Sequence, residues 1–124
     1  FSISYDGGKT FAVVHEELKH CFFNGATRNN NPEVRSYSFA LPKDLPSSDK
    51  AVFAWTWVNA IGNREFYMNC ADVEIKGSSD SYTGKEMVIA NHDGYPDIPE
   101  FGDDYDTGLD LYKNAKDITV KPGN

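Results

Sequence analysis

Three polar residues, Glu65, Tyr67 and Asn69, are spaced two apart in a segment that is typical of a β-strand. Because successive side chains of a strand point to opposite faces, a regular strand places all three on one side and their apolar neighbours on the other. The result is a row containing a carboxylate, a phenol and an amide, from which a polar site could be built. The alternative is that Tyr67 is an amphipathic core residue whose hydroxyl reaches the rim.

Two other patterns contain metal-binding residue types. His15 and His20 flank a Glu-Glu pair as in a zinc-protease motif, but they are five apart, so on a helix the second imidazole turns away from the first. We therefore expect two surface histidines beside a hairpin. Asp104, Asp106 and Asp110 offer alternating carboxylates that calcium could use, although the segment lacks the bidentate Glu and the helical flanks of a calcium loop. The other interpretation is a solvated acidic loop.

Composition and charge limit the kinds of partner. The chain has 124 residues, 40% of them hydrophobic, which suits one domain with a real core. Its formal charge of −7 disfavours nucleic acids and anionic lipids, because both are bound through clustered Lys and Arg. No apolar run approaches the length needed to span a bilayer. We expect a neutral partner, such as a polysaccharide, or another protein, and neither nucleic acid nor membrane.

The two cysteines, Cys21 and Cys70, leave the redox compartment open. They could pair with each other in an oxidising compartment, or each could pair with a cysteine upstream of Phe1. A third alternative is that both are reduced, buried thiols. Since Phe1 is an unusual first residue for a gene product, we expect a processed, cleaved or partial chain.

The elements that must position the polar row are predicted to be strands of an all-β, immunoglobulin-like or fibronectin-like antiparallel sandwich. Residues 1–14 are predicted to form a hairpin around an Asp-Gly-Gly turn. Strands are predicted over residues 34–41, 51–58 and 65–76. The strand over 51–58 alternates three aromatic residues with smaller ones and should be the central strand, paired with the strand that follows it.

Residues 77–124 have a different composition, rich in Ser, Asp and Pro. They are predicted to form an irregular, acidic, loop-rich extension that packs on the sandwich. Short apolar patches at residues 87–90, 109–112 and 118–120 could dock there and add one or two edge strands.

A family resemblance is carried by three segments. Residues 53–70, FAWTWVNAIGNREFYMNC, closely resemble the signature of fungal copper-dependent lytic polysaccharide monooxygenases that act on chitin, a family with a fold like that of type-4 chitin-binding proteins. Residues 1–10, FSISYDGGKT, resemble the hairpin that precedes the signature, and residues 41–47, LPKDLPS, resemble its proline-bounded turn. The resemblance covers residues 1–76, which it implies are the C-terminal part of a monooxygenase-like sandwich core.

The resemblance implies a sandwich with a flat face for a polysaccharide and one copper ion. In the family that ion is held by a histidine brace, made of the amino group and imidazole of an N-terminal His and of a second His. Tyr67 matches the axial copper position of the motif. Glu65 matches the nearby acidic residue that positions the oxygen species or an active-site water. Both residues are therefore expected to be catalytic-site residues.

The chain departs from the family at the brace itself. Residue 1 is Phe, and His15, His20 and His92 do not match brace positions, so no brace ligand is assigned here. Copper is expected only if the complete protein contains the N-terminal histidines. The family disulfide patterns imply that Cys21 and Cys70 pair with cysteines of such an N-terminal segment.

The sequence is compatible with three functions. The first is part of a copper-dependent monooxygenase that oxidises chitin or a related polysaccharide, and it requires an upstream segment. The second is a catalytically inactive relative that binds carbohydrate or the cell wall. The third is a structural or storage protein. For all three we expect a secreted, extracellular or cell-wall location.

Overall fold

Antiparallel strands carry most of the regular structure. The computed structural model describes residues 1–25, 27, 31–60, 62–101 and 105–123. In chain order its elements are β1 (Ser2–Ser4), β2 (Ala12–Val13), β3 (Ser48–Val58), β4 (Phe66–Ile75), β5 (Tyr82–Lys85), α1 (Leu109–Lys113) and β6 (Asp117–Val120). One sheet has four strands in the order β2-β1-β3-β4, and a second sheet pairs β5 with β6. The prediction of an all-β antiparallel sandwich is confirmed.

The opening hairpin forms as predicted, and a single carboxylate organises its turn. Strands β1 and β2 pair antiparallel. Between them, the Asp6 carboxylate accepts hydrogen bonds from the backbone N–H groups of Lys9 and Thr10, each at 3.0 Å, and from the Thr10 hydroxyl at 2.7 Å. Gly7 and Gly8 have φ angles of 76° and 90°, which residues with a Cβ rarely adopt. The Asp-Gly-Gly sequence therefore suits this turn, because Asp6 accepts its hydrogen bonds and the two glycines adopt its positive φ angles.

Strand β3 is an inner strand of the larger sheet, as predicted for residues 51–58. It pairs antiparallel with β1 on one side and with β4 on the other. Its register with β4 places Trp57 opposite Tyr67 and Trp55 opposite Asn69. Since directly paired residues of neighbouring strands share a face of the sheet, the two tryptophans and the polar row lie on the same face.

The hydrophobic core joins the two sheets. Its buried members are Ile3, Tyr5, Ala12, Leu45, Ala51, Ile75, Tyr82 and Val120. Two tyrosine hydroxyls in it reach backbone acceptors: Tyr5 donates to the Pro46 carbonyl at 2.8 Å, and Tyr82 donates to the Val13 carbonyl at 2.9 Å. Burial raises the pKa of Tyr5 to about 12, so its hydroxyl remains a donor at neutral pH.

The strand predicted over residues 34–41 does not form. The alternation that suggested it has another cause, since the rings of Tyr37 and Phe39 both pack against Phe1, with centroid separations of 6.1 and 5.1 Å. No neighbouring strand pairs with this segment in the described part of the chain. The alternation in this segment therefore reflects packing of its side chains, since no partner strand is available in the described part of the chain.

The extension contains more regular structure than predicted. Residues 118–120 lie in β6, as expected, and β6 pairs with β5. Residues 87–90 form no strand. Residues 109–112 lie in the helix α1, where Asp110 in the first turn and Lys113 in the last turn suit the helix dipole.

Within the described residues, no helix has the length and apolar character to cross a bilayer.

Cys21 and Cys70 do not form a disulfide with each other. Cys70 lies on β4 and is exposed, whereas the Cys21 thiol is partly buried and donates to the Glu17 carbonyl at 2.9 Å. Burial, assisted by the charge of Glu17, raises the pKa of Cys21, which keeps the thiol protonated. The alternative of a mutual disulfide is wrong, and the alternative of two buried thiols is wrong for Cys70.

We predict that Gly77→Ala destabilises the fold by roughly 2 to 3 kcal/mol, because overpacking against rigid atoms forces the backbone to move. A Cβ at Gly77 would lie 1.9 Å from the Leu45 carbonyl oxygen, which is a backbone atom that no side-chain rotation can displace. Gly25→Ala is the control, since a Cβ there meets nothing within 4 Å. Urea denaturation of both variants measures the difference. Equal stability of the two variants would refute the close approach at Gly77.

We predict that Asp6 makes the fold less stable in acid. Burial of the carboxyl acts to raise its pKa, but hydrogen bonds from Thr10, Ser4 and Lys9 outweigh burial, and the pKa of Asp6 is lowered. A lowered pKa means that the ionised form stabilises the fold above the ordinary pKa of about 3.9 and that this contribution is lost as the pH falls through the folded-state value. Because the site is largely open to solvent, we expect about 1 kcal/mol at neutral pH.

The measurement for Asp6 is urea denaturation of the natural chain and of Asp6→Asn between neutral and acid pH. The stability difference between them should shrink as the pH falls. A difference that stays constant down to the acid-unfolding limit would show that the ionised carboxylate is not what stabilises the turn.

Candidate functional site

The ring of Tyr67 lies against an aromatic stack on the face of the larger sheet. Its centroid is 4.3 Å from that of Trp57, and the two rings are inclined by 16°. Trp57 in turn stacks on Trp55 at 6.0 Å, and Phe22 meets both indoles edge-on at 5.1 and 5.8 Å. These separations are typical of favourable aromatic pairs. Packing therefore restricts the position of the Tyr67 ring, and with it the position of the hydroxyl.

The Tyr67 hydroxyl donates a hydrogen bond to Oε2 of Glu65. Glu65 directly precedes β4 and is exposed, whereas Tyr67 is partly exposed. This hydrogen bond is the main reason that the pKa of Tyr67 is raised above 10, and burial and the charge of Glu65 act in the same direction. The phenol therefore stays protonated across the physiological range. The structure brings together the two residues that the sequence motif singles out, and Asn69, the third residue of the row, is exposed and lies opposite Trp55 on β3.

Glu65 also borders an open depression in the surface. The depression has a volume of about 530 Å³ and is lined by Arg64, Glu65, Phe66, Ile89, Asn91, His92 and Tyr95. Tyr95 is 47% exposed, and its ring stacks loosely with that of His92 at 6.1 Å. The carboxylate thus lies between a rigid aromatic stack and a surface that a large ligand could reach.

His15 and His20 each contact an aromatic ring. The ring of His15 stacks on Phe39 at 4.2 Å, and its Nε2 lies 2.8 Å from Oε1 of Glu17. The ring of His20 meets Tyr105 edge-on at 5.3 Å. His15 and His20 are both partly exposed, which agrees with their expected position beside the hairpin.

The acidic residues suggested for calcium do not form a metal site in the described part of the chain. Asp104 lies outside the described residues, Asp106 pairs with Lys19 at 2.7 Å, and Asp110 lies in the first turn of α1. The described residues contain no group of three His, Cys, Asp or Glu side chains that could hold a metal ion. The described residues therefore do not by themselves supply a complete ligand set for a metal ion.

One member of the site was not predicted from the sequence. Trp57 was identified as part of a core strand, yet its ring supports the phenol of Tyr67 directly. The signal for this pairing is the centre of the connection between β3 and β4, since a turn centred near residue 62 brings position 57 opposite position 67.

Comparison with known proteins identifies three curated relatives, all with names of the same kind. The chain is 42% identical over 97 residues to an AA11 family lytic polysaccharide monooxygenase A of Aspergillus fumigatus, a match that covers 78% of this chain and 36% of the relative. It is 46% identical over 43 residues to an AA11 family lytic polysaccharide monooxygenase of Aspergillus oryzae, covering 35% of this chain and 10% of the relative.

A third relative, the AA11 family lytic polysaccharide monooxygenase B of Aspergillus fumigatus, is 40% identical over 48 residues, which cover 39% of this chain and 11% of that protein. No protein-family model matches the chain, and no solved structure matches it. The chain spans little more than a third of the length of the monooxygenase A of Aspergillus fumigatus. The three relatives confirm the resemblance found in the sequence: this chain is a partial domain related to the fungal AA11 lytic polysaccharide monooxygenases.

Proposed function

We propose that this chain contributes the Tyr67 and Glu65 side of the active site in a copper-dependent monooxygenase domain that acts on chitin or a related polysaccharide. The observation that carries the proposal is the hydrogen bond from the Tyr67 hydroxyl to the Glu65 carboxylate, beside the Trp57 ring. The names of the relatives support the reaction class. The proposal concerns the complete protein, of which this chain supplies one part.

In this proposal Tyr67 would lie beside a copper ion that supplies redox chemistry when bound, and Glu65 would position a water molecule there. The remaining ligands, an N-terminal His and a second His, would come from another part of the complete protein, joined to this one through disulfides of Cys21 and Cys70. The exposure of Cys70 is compatible with an external partner. The carboxylate holds the proton on Tyr67, so a neutral phenol is what Tyr67 presents at this site.

The surface around Glu65 supports a polysaccharide as the ligand. The exposed ring of Tyr95 offers an apolar face beside polar side chains, and sugars need both kinds of contact. The formal charge of −7 favours a neutral polymer over an anionic one. A protein with this ligand would act outside the cell or in the cell wall, which is the location that we propose.

We predict that the mature natural protein begins with His, carries this chain in disulfide linkage, and releases oxidised oligosaccharides from chitin when copper and a reductant are supplied. N-terminal sequencing, the non-reduced intact mass and mass spectrometry of the products measure this. Tyr67→Phe should lower the rate roughly two- to tenfold and leave the fold intact, because one hydroxyl at the rim contributes about one hydrogen bond.

Two results would contradict the monooxygenase proposal. A mature protein that binds polysaccharide and yields no oxidised product would be an inactive binding relative. A mature protein that neither binds nor oxidises polysaccharide would have a structural or storage role. If Tyr67→Phe instead unfolds, Tyr67 is a core residue and its assignment to the site is wrong.

We predict that Glu65→Gln lowers the pKa of Tyr67 toward its ordinary value of about 10. The reason is that an amide accepts a weaker hydrogen bond than a carboxylate and carries no charge that opposes the phenolate. The ring-carbon NMR signal of labelled Tyr67, assigned with Tyr67→Phe, follows the titration. Glu74→Gln is the matched control and should leave the titration unchanged, because Glu74 is exposed like Glu65 and lies on β4 with Tyr67. An unaltered Tyr67 titration in Glu65→Gln would rule out the hydrogen-bonded pair.

A further inference from the structure

The turn between β3 and β4 contains a charged side chain that is almost completely buried. Arg64 directly precedes Glu65, and its side chain is only 7% exposed. Arginine is rarely buried to this extent unless its guanidinium is paired, because burial removes the charge from water. The partners of this guanidinium therefore identify what Arg64 does for the turn.

The Arg64 guanidinium binds two backbone carbonyls of the turn and also contacts residues 100 and 101. Its Nη1 donates to the Asn59 carbonyl at 2.7 Å, and its Nη2 donates to the Gly62 carbonyl. The same Nη2 lies 3.3 and 3.2 Å from the two carboxylate oxygens of Glu100, and the guanidinium carbon lies 5.4 Å from the centre of the Phe101 ring. A planar guanidinium can serve these groups together, whereas the single ammonium of a Lys cannot match the same geometry.

Asn59 connects Arg64 to Glu65 through hydrogen bonds. Its Oδ1 accepts a hydrogen bond from the Glu65 backbone N–H at 2.9 Å, and its Nδ2 donates to the Asn63 carbonyl at 2.5 Å. The side chain of Asn59 therefore fixes the backbone of Glu65, while Arg64 fixes the backbone of Asn59. Asn59 thus acts on Glu65 directly, and Arg64 acts on Glu65 through Asn59.

We infer that Arg64 and Asn59 are positioning residues, which hold the Glu65 backbone so that its carboxylate meets the Tyr67 hydroxyl. Neither residue is required to touch the substrate. The functional meaning of this inference rests on the proposed function, but the geometry that it predicts is measurable without any polysaccharide. Loss of activity on chitin and loss of positioning can therefore be told apart.

The test compares Arg64→Lys with Arg35→Lys in the 124-residue chain. Arg35 is exposed and makes one long contact, from Nε to the Pro32 carbonyl at 3.4 Å, so Arg35→Lys is the same chemical change outside the turn. Two readouts report on the site: nuclear Overhauser contacts between the Glu65 and Tyr67 side chains, and hydrogen exchange at the Glu65 amide. General destabilisation is followed separately by thermal unfolding.

We expect Arg64→Lys to weaken the nuclear Overhauser contacts between the Glu65 and Tyr67 side chains, because the Glu65 backbone is then held less firmly. Exchange of the Glu65 amide should be roughly tenfold faster in Arg64→Lys, as expected for the weakening of one hydrogen bond. Arg35→Lys should change neither readout.

The inference is overturned if Arg64→Lys lowers the unfolding temperature and leaves both the Glu65–Tyr67 contacts and the exchange of the Glu65 amide unchanged, because Arg64 would then serve stability alone. If Arg64→Lys does not fold, Asn59→Ala provides the test. That variant removes the acceptor of the Glu65 N–H and keeps the Asn59 carbonyl that Arg64 holds. Its contacts between the Glu65 and Tyr67 side chains should weaken as well, and unchanged contacts would refute the positioning role.

Discussion

The antiparallel register between β3 and β4 is the constraint on which the site depends. Because side chains alternate along a strand, a slip of one residue would move Tyr67 to the opposite face of the sheet and away from Trp57. The stack of Trp57 on Tyr67 favours the observed register, and the turn before Glu65 fixes it from the other end. The same hairpin that builds the sheet therefore also determines which polar groups meet.

The site combines rigid packing with a polar contact near the surface. The aromatic stack restricts the phenol ring, and the carboxylate of Glu65 accepts a hydrogen bond from the Tyr67 hydroxyl. Such an arrangement keeps a neutral phenol in a defined position, which is compatible with its proposed place beside a metal held by other residues. The relation to the AA11 monooxygenases gives this geometry a chemical context that the pair alone would not supply.

Much of the sheet could be predicted because alternation and turn chemistry agree there. The Asp-Gly-Gly turn and the strands over 51–58 and 65–76 each have a partner close in sequence. The same reasoning brought Glu65 and Tyr67 to one side. The prediction of a strand was wrong for residues 34–41, whose alternation reflects side-chain packing without a paired strand. The prediction was also wrong for residues 109–112, where an apolar run too short to show a period forms a helix.

The role of Arg64 could not be predicted, because its partners include backbone carbonyls, which every residue possesses. Burial of a cation in a turn becomes visible only when the turn is folded.

Both tryptophans of the chain, Trp55 and Trp57, belong to the stack that supports Tyr67. Indole emission and the near-ultraviolet circular dichroism of indole therefore originate entirely beside the candidate site. The intrinsic indole signal can therefore report a ligand or a disturbance near Glu65 without any attached label.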